Sequence, residues 1–256
     1  MVDLHCHILP GLDDGPSTKE ESLRMAETAI ADGITHIVAT PHCSDRYSFD
    51  FNQVRQLREE LQAKIGGRLK IATGCDFHLN PENLAALKKN ALPYCINQLD
   101  YLLLEFNEVS IPPAMDHTLH DIQLSGLRLI ITHPERNAIL RARPERLKHW
   151  VRRGCFGQVT GGALTGVFGP VAQQVATDWI GEGLIHFVAN DAHNTRTRPP
   201  RLQPAYNVVI DQFGEEKAHA LFLDNPLAAF EGRALPHIPD VEEETPMPRR
   251  KRFFFF

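Results

Sequence analysis

The chain has 256 residues, 43% of them hydrophobic, which suits one large α/β domain or at most two small ones, with ample core. A formal net charge of −5 argues against a nucleic-acid binder working through a general basic field, so an anionic ligand must meet local positive charge from metals or a few arginines. There is no basic-apolar signal peptide and no apolar run of about 18 residues, and the cysteines (Cys6, Cys43, Cys75, Cys95, Cys155) form no CxxC pair, which reads as a cytosolic chain with free thiols.

The first stretch, Met1 to Gly15, runs an apolar entry into His5, His7 and the pair Asp13-Asp14. Side chains alternate along an extended segment, so His5 and His7 project to one face, with Leu4 and Cys6 on the other. Two imidazoles are then able to share one ion. Ser17 and Glu20 form a capping box ahead of a first helix through Leu23, Ala26, Ala29 and Ile30, which Gly33 ends. A second strand, His36 to Thr40, delivers His42; Phe51, Val54, Leu57, Leu61 and Ile65 outline a second helix ending at Gly66-Gly67. The third strand, Lys70 to Cys75, delivers Asp76, and Asn80-Pro81 cap and start a short third helix.

The alternation then repeats. Tyr101 to Leu104 delivers Glu105, a helix follows near Asp116 to Ser125, and Leu127 to Ile131 delivers His133. Pro144 opens a helix carrying Leu147, Trp150 and Val151; Phe156 to Thr160 is a sixth strand running into Gly161-Gly162, where backbone is expected to approach a substrate; Val171, Val175 and Trp179 mark the next helix. His186 to Ala189, the seventh strand, delivers Asp191 and His193, and helices resume around Leu202 to Phe213 and Glu215 to Leu223. Strands alternating with helices imply a parallel sheet with right-handed crossovers. Metal-type residues at nearly every strand's C-terminal end favour a closed barrel, whose strand ends converge on one face, over an open sheet with one switch point. The expected fold is a distorted seven-stranded (β/α)7 TIM-like barrel over residues 1–235.

The constellation His5, His7, Asp14 or Asp13, His42, Asp76, Glu105, His133, Asp191 and His193 mixes imidazole and carboxylate in a way that suits two or three ions of Zn²⁺, Mn²⁺ or Fe. Spacing alone does not choose within the aspartate pair; Asp14 is taken as the ligand. The other histidines (His36, His78, His117, His120, His149, His186, His219, His237) lack strand-end placement and read as surface or packing residues. A cysteine nucleophile of the Cys-x5-Arg type is excluded, because the sixth residue after each cysteine is Leu12, Phe49, Pro81, Tyr101 or Gly161.

The blocks Asp3-x-His-x-His-x-Leu-Pro-Gly-x-Asp-Asp-Gly15, Ala39-Thr-Pro-His42, His133-Pro-Glu-Arg-Asn137 and Asn190-Asp-Ala-His-Asn194 with Arg198-Pro-Pro200 resemble the polymerase-and-histidinol-phosphatase (PHP) superfamily. Within it they look like the manganese-dependent protein-tyrosine phosphatases of bacterial capsule and exopolysaccharide loci. The resemblance implies a PHP barrel with a three-metal site: His5, His7, Asp76 and Asp191 on one ion, Asp76, Glu105 and His133 on the second, Asp14, His42 and His193 on the third. It also implies Arg136 and Arg198 as phosphate clamps, with Arg196 a further candidate, and a phosphotyrosine protein, a tyrosine kinase, as substrate. Asp76 departs from the family's usual glutamate, Cys43 from a second histidine, and Asn107 from a proline.

From Pro236 the composition changes to prolines, an acidic run, the basic Arg249 to Arg252 and Phe253 to Phe256, which reads as a disordered tail and the one segment able to touch a membrane. Competing readings are a small-molecule phosphatase of the histidinol-phosphate type, a non-catalytic metal-bound module and, more distantly, a carbon-nitrogen hydrolase on a similar barrel.

Overall fold

The computed structural model describes residues 1–241 as a mixed α/β fold whose strand pairs are all parallel. Its strands are β1 (Val2–Cys6), β2 (His36–Ala39), β3 (His42–Cys43), β4 (Lys70–Thr73), β5 (Asp76–His78), β6 (Tyr101–Glu105), β7 (Arg128–Thr132), β8 (Phe156–Thr160) and β9 (Ile185–Ala189). They form a three-stranded sheet, β1-β2-β4, and a six-stranded sheet, β3-β5-β6-β7-β8-β9. The second and third strand runs of the sequence are thus each interrupted, at Thr40-Pro41 and Gly74-Cys75, so that one run contributes to both sheets. Proline cannot donate to a ladder, which gives the first break a local cause; at the second, Gly74 is required by close approach, since a Cβ there would lie 2.7 Å from Val38 Cγ1. Between the outer edges of the two sheets runs a single parallel bridge, Cys6 to Ala192. Asp191 N–H donates to His5 O at 2.8 Å and His7 N–H to Ala192 O at 2.9 Å beside it.

Side-chain alternation sorts the core into two layers. Val38, Ala72, Tyr101, Leu103, Ile130, Phe156 and Phe187 share a small cluster that Ala228, Ala229 and Phe230 close from below. Their neighbours Ile37, Ile71, Leu102, Leu129, Val159 and Val188 belong to the large cluster with the surrounding helices. A period of two carries the first set onward from Val38 to His42, Ala72 to Asp76 and Tyr101 to Glu105, so the face that buries apolar side chains lower down presents metal-type groups at the strand ends.

Helices Phe51–Ile65, Pro81–Lys89 and Pro144–Arg152 start where the sequence places them, the first two capped by Asp50 and Asn80. In the first helix, Lys19–Ala31, the capping hydroxyl belongs to Thr18, which accepts from Glu21 N–H; Ser17 lies one position too early. Helix Gly169–Gly181 buries Ala172, Ala176, Trp179 and Ile180, leaving Val171 exposed, because the apolar stripe is one position off the spacing read from the valines. Of the tail expected from Pro236, residues 236–241 run along the body: Asn225 exchanges hydrogen bonds with the His237 backbone, and Val241 packs against the core. Residues 242–256, which carry the acidic, basic and phenylalanine runs, lie outside the described residues. No helix among the described residues is long and apolar enough to cross a membrane.

Candidate metal centre

The motif around His5 and His7 is held from behind. Asp3 is buried and accepts from Asn190 N–H at 3.0 Å and Asn190 Nδ2 at 2.9 Å, which fastens β1 to the loop after β9. Burial pushes the Asp3 carboxyl up to about 6 despite these bonds. His5 Nε2 and His7 Nε2 lie 3.2 Å apart, and both face Asp191 Oδ1, at 3.4 and 3.3 Å. Gln158 Oε1 meets the other ring nitrogen of His5 at 3.3 Å, and Asp13 Oδ2 meets that of His7 at 2.7 Å. Such a partner fixes the tautomer and leaves Nε2 to face the centre. Burial works against a charged His7, but Asp13 and Asp191 outweigh it and push it up to about 10.

The two aspartates of the pair therefore differ. Asp13 accepts from His42 N–H and Gly15 N–H as well, so its oxygens are spent on holding the loop. Asp14 points Oδ1 at His193 Nε2 (3.3 Å) and His42 Nε2 (3.5 Å), and these imidazoles, His193 first, hold its carboxyl below the usual range. Gly15 is required by close approach: a Cβ there would lie 2.5 Å from His7 O.

Donor atoms converge in three overlapping groups, each within 4.8 Å: His5, His7 and Asp76; His7, Asp14, His42 and His193; and His42, Asp76, His78 and Glu105. Asp76 stands at the middle, with Oδ2 at 3.6 Å from His5 Nε2 and 3.0 Å from His42 Nδ1. Burial opposes its ionisation, yet the facing imidazoles keep its carboxyl well below the usual range. Burial and the charge of Asp76 push Glu105 up to about 7. His133 is 3.7 Å from Glu105 Oε1 and burial, reinforced by Arg136, holds it in the neutral form. His133 and Asp191 also have positive φ, 32° and 52°. Non-glycine residues rarely adopt that conformation, and at a site it marks backbone held in place by its surroundings.

The His133-Pro-Glu-Arg-Asn137 block is a turn in which each residue has a task. Arg136 N–H closes it on His133 O; buried Glu135 accepts from Thr160 N–H and Oγ1, tying the turn to β8; Asn137 caps the helix Ala138–Ala142. Arg136 is left facing Asp191 Oδ2. Arg198, from the loop after β9, reaches the same oxygen, so both guanidiniums meet the carboxylate whose other oxygen faces the histidines. Asn194 Oδ1 accepts from the N–H groups of Arg196, Thr197 and Arg198, which shapes that loop, while the Arg196 residue itself is exposed. Phe168 lies beneath Arg136, with Cζ 4.6 Å from the ring centre and that of Arg198 at 5.9 Å. Gly162 has space for no side chain, since a Cβ would lie 2.9 Å from Phe168 Cε2; the glycine pair accommodates this ring and lines, with Thr165, Arg198 and Pro199, a cavity of about 180 Å³.

Of the residues expected at the site, His5, His7, Asp14, His42, Asp76, Glu105 and His193 fall in these donor groups; His133 and Asp191 border them without belonging to one, Arg136 and Arg198 meet Asp191, and Arg196 is exposed. His78, which its sequence position marks as a surface or packing residue, joins them. Its signal was present: Asp76-x-His78 repeats the alternation of His5-x-His7 on one strand face. Phe168 had no comparable signal, being one of many loop aromatics. The donor set fits divalent ions by a direct test. Asp76 is fully buried, and neither of its oxygens takes part in a hydrogen bond among the described residues. A carboxylate so placed is costly unless a cation meets it.

The sequence matches the family described as capsular polysaccharide synthesis, CpsB/CapC, over residues 1–231. It is 34% identical to the tyrosine-protein phosphatase YwqE of Bacillus subtilis over the whole of both chains, and 30% identical to the tyrosine-protein phosphatase CpsB of Streptococcus pneumoniae, covering 88% of this chain and 96% of that one. A crystal structure from work on YwqE and CpsB as metal-dependent tyrosine phosphatases superposes with a TM-score of 0.87 at 33% identity, over 95% of this chain and all of the other. Histidinol phosphate phosphatase of Lactococcus lactis, at 14% identity and a TM-score of 0.56 over 87% of this chain and 96% of that one, shares the fold. With a family match spanning nearly all the described residues and relatives of this identity aligned end to end, the chain belongs to the CpsB/CapC family.

Proposed function

We propose that the protein is a metal-dependent protein-tyrosine phosphatase, a phosphoric monoester hydrolase acting on a bacterial tyrosine autokinase that regulates capsule or exopolysaccharide synthesis. One observation carries the reading: Asp191 faces His5 and His7 with one oxygen and Arg136 and Arg198 with the other, so phosphate-binding cations border the candidate metal centre. His5, His7, Asp14, His42, Asp76, Glu105, His133, Asp191 and His193 are the proposed ligands of two or three divalent ions, Mn²⁺ foremost. Such ions, when bound, polarise phosphoryl oxygens and lower the pKa of a coordinated water.

The chain's own groups supply the rest. Arg136 and Arg198 offer planar forks to phosphate oxygens, and Arg198 Nε is buried without a hydrogen-bond partner among the described residues. Phe168 holds both guanidiniums against one aromatic face. The cavity beside Arg198 has room for an aryl ring. A phenolate leaving group, with a pKa near 10, departs more readily than an alkoxide, which lessens the need for a strong general acid. The same reading takes β2 with β3 and β4 with β5 as single interrupted strands of one distorted seven-stranded barrel, with Cys6 and Ala192 at its seam.

The test compares kcat/KM of Mn²⁺-reconstituted protein on a phosphotyrosine peptide, a phosphoserine peptide and histidinol phosphate. Preference for the phosphotyrosine peptide by tenfold or more is expected. Preference for histidinol phosphate would replace this reading with that of a small-molecule phosphatase.

A further inference from the structure

We propose that His78 is a metal ligand, completing with His42, Asp76 and Glu105 a four-donor site that spans three adjacent strands. The inference rests on reading the strand ends as a metal centre and adds a residue to it. Pairing between the parallel strands places the four donors as two neighbouring couples: His42 is the register partner of Asp76 across β3 and β5, and His78 is that of Glu105 across β5 and β6. Asp76 and His78 are two apart on β5 and so share its face. The four side chains form the corners of one patch, and one donor atom from each lies within 4.8 Å of the others.

The hydrogen-bond accounting points the same way. His42 Nδ1, both oxygens of Asp76, His78 Nε2 and Glu105 Oε2 are all buried, and none has a hydrogen-bond partner among the described residues. His78 Nε2 and Glu105 Oε2 face each other at ion-pair distance without hydrogen-bond geometry. Buried polar atoms are nearly always paired, and a group of them aimed at one point asks for a common partner. An ion meets all four at once, whereas separate His78–Glu105 and His42–Asp76 ion pairs leave Asp76 Oδ1 without a hydrogen-bond partner among the described residues. Asp76 also has one methylene fewer than a glutamate, so at a centre shared between ions its reach is short, and a second donor two residues further along the same strand supplies what that arm does not.

The ion-pair role and the ligand role separate in one substitution. His78→Arg keeps a positive partner for Glu105 but offers no lone pair to a metal; His78→Gln removes the imidazole without charge. Full-length wild-type protein, both variants and the double variant His5→Ala/His7→Ala are loaded with Mn²⁺, dialysed at a fixed low free-metal concentration and measured by elemental analysis. Visible absorption of the Co²⁺-substituted forms gives a second readout, and melting of the metal-free proteins checks the fold. Loss of about one ion per chain in both His78 variants, with a changed Co²⁺ spectrum and unchanged metal-free melting, is the expected result. Wild-type metal content and spectrum in His78→Arg, with metal still lost from the His5/His7 variant, would overturn the role of His78 and leave the metal centre standing. Wild-type content in every variant, or no metal in wild type, would overturn both.

Discussion

Asp191 is the residue through which the two halves of the site communicate, because its Oδ1 faces imidazoles and its Oδ2 faces guanidiniums. The arginines are then separable from the metals by mutation. If Arg198 clamps phosphate as proposed, Arg198→Ala removes a fork from the phosphate but no donor from any ion, so metal content is expected to stay at the wild-type value while kcat/KM on phosphotyrosine peptide falls by roughly 10² to 10³, the equivalent of about 3 to 4 kcal/mol of charge stabilisation. Arg198→Lys restores part of the loss, since a point charge lacks the fork. Loss of metal from Arg198→Ala would show that the guanidinium holds Asp191 for the ions and not the substrate. His5, His42, Asp76, Glu105 and His133 stand out as candidates in the sequence because each sits at or just past a strand end after an apolar run; what spacing did not reveal was the division of labour between neighbours. Asp13 and Asp14 are adjacent and chemically identical, and they part only through the chain's path: Asp13 turns toward His7 Nδ1 and two backbone N–H groups, Asp14 toward His42 and His193.

At the scale of elements, loops that carry function are built on local polar motifs, while strands are ordered by burial. The helix Phe51–Ile65 was legible because its apolar stripe and terminal glycine agree; the split of two strand runs between sheets was not, because it depends on which neighbour each half meets. β8 and β9 contain a case with a thermodynamic consequence. His186 is buried on β9, where its Nδ1 accepts from Gly157 N–H at 3.2 Å, and burial lowers its pKa to about 4. The native state keeps the ring neutral while the unfolded chain takes up a proton below about 6.5. The unfolded state thus binds more protons between those values, and the contribution of His186 to stability is intact above about 6.5 and falls as pH drops toward 4. Over that window the loss reaches about 3 kcal/mol. His186→Asn retains an acceptor for Gly157 without titrating, so the stability difference between wild type and variant, from urea melts at pH 7 and pH 4.5, shifts in the variant's favour on acidification. A difference independent of pH would show that His186 is charged or exposed in the native protein.

For the whole molecule, the candidate donors come from every part of the strand order. His5 lies on β1 and His7 just past its end, at the outer edge of one sheet; Asp191 and His193 follow β9, at an outer edge of the other; His42, Asp76 and Glu105 lie on β3, β5 and β6. Backbone hydrogen bonding across the junction of β1 and the loop after β9 is sparse, a single bridge with two flanking bonds, supported by Asp3 and Asn190. Ions held by His5, His7 and Asp191, as proposed, would tie together two edges that the ladder joins only sparsely. Binding to the folded state alone stabilises by about 2.7 kcal/mol for each ion when free metal stands at a hundredfold excess over Kd, which for a chain of this size is several degrees of melting temperature. Chelation of the loaded protein should lower Tm by that amount, and re-addition of Mn²⁺ should restore it. The locality of the effect is the sharper expectation: amide exchange on removing metal should accelerate most at residues 5–7 and 190–193, and least in β6 and β7, whose ladder is continuous. Because those strands are paired on both sides, uniform acceleration throughout the sheets would mean that the ions stabilise the fold globally and do not act as a clasp at its seam.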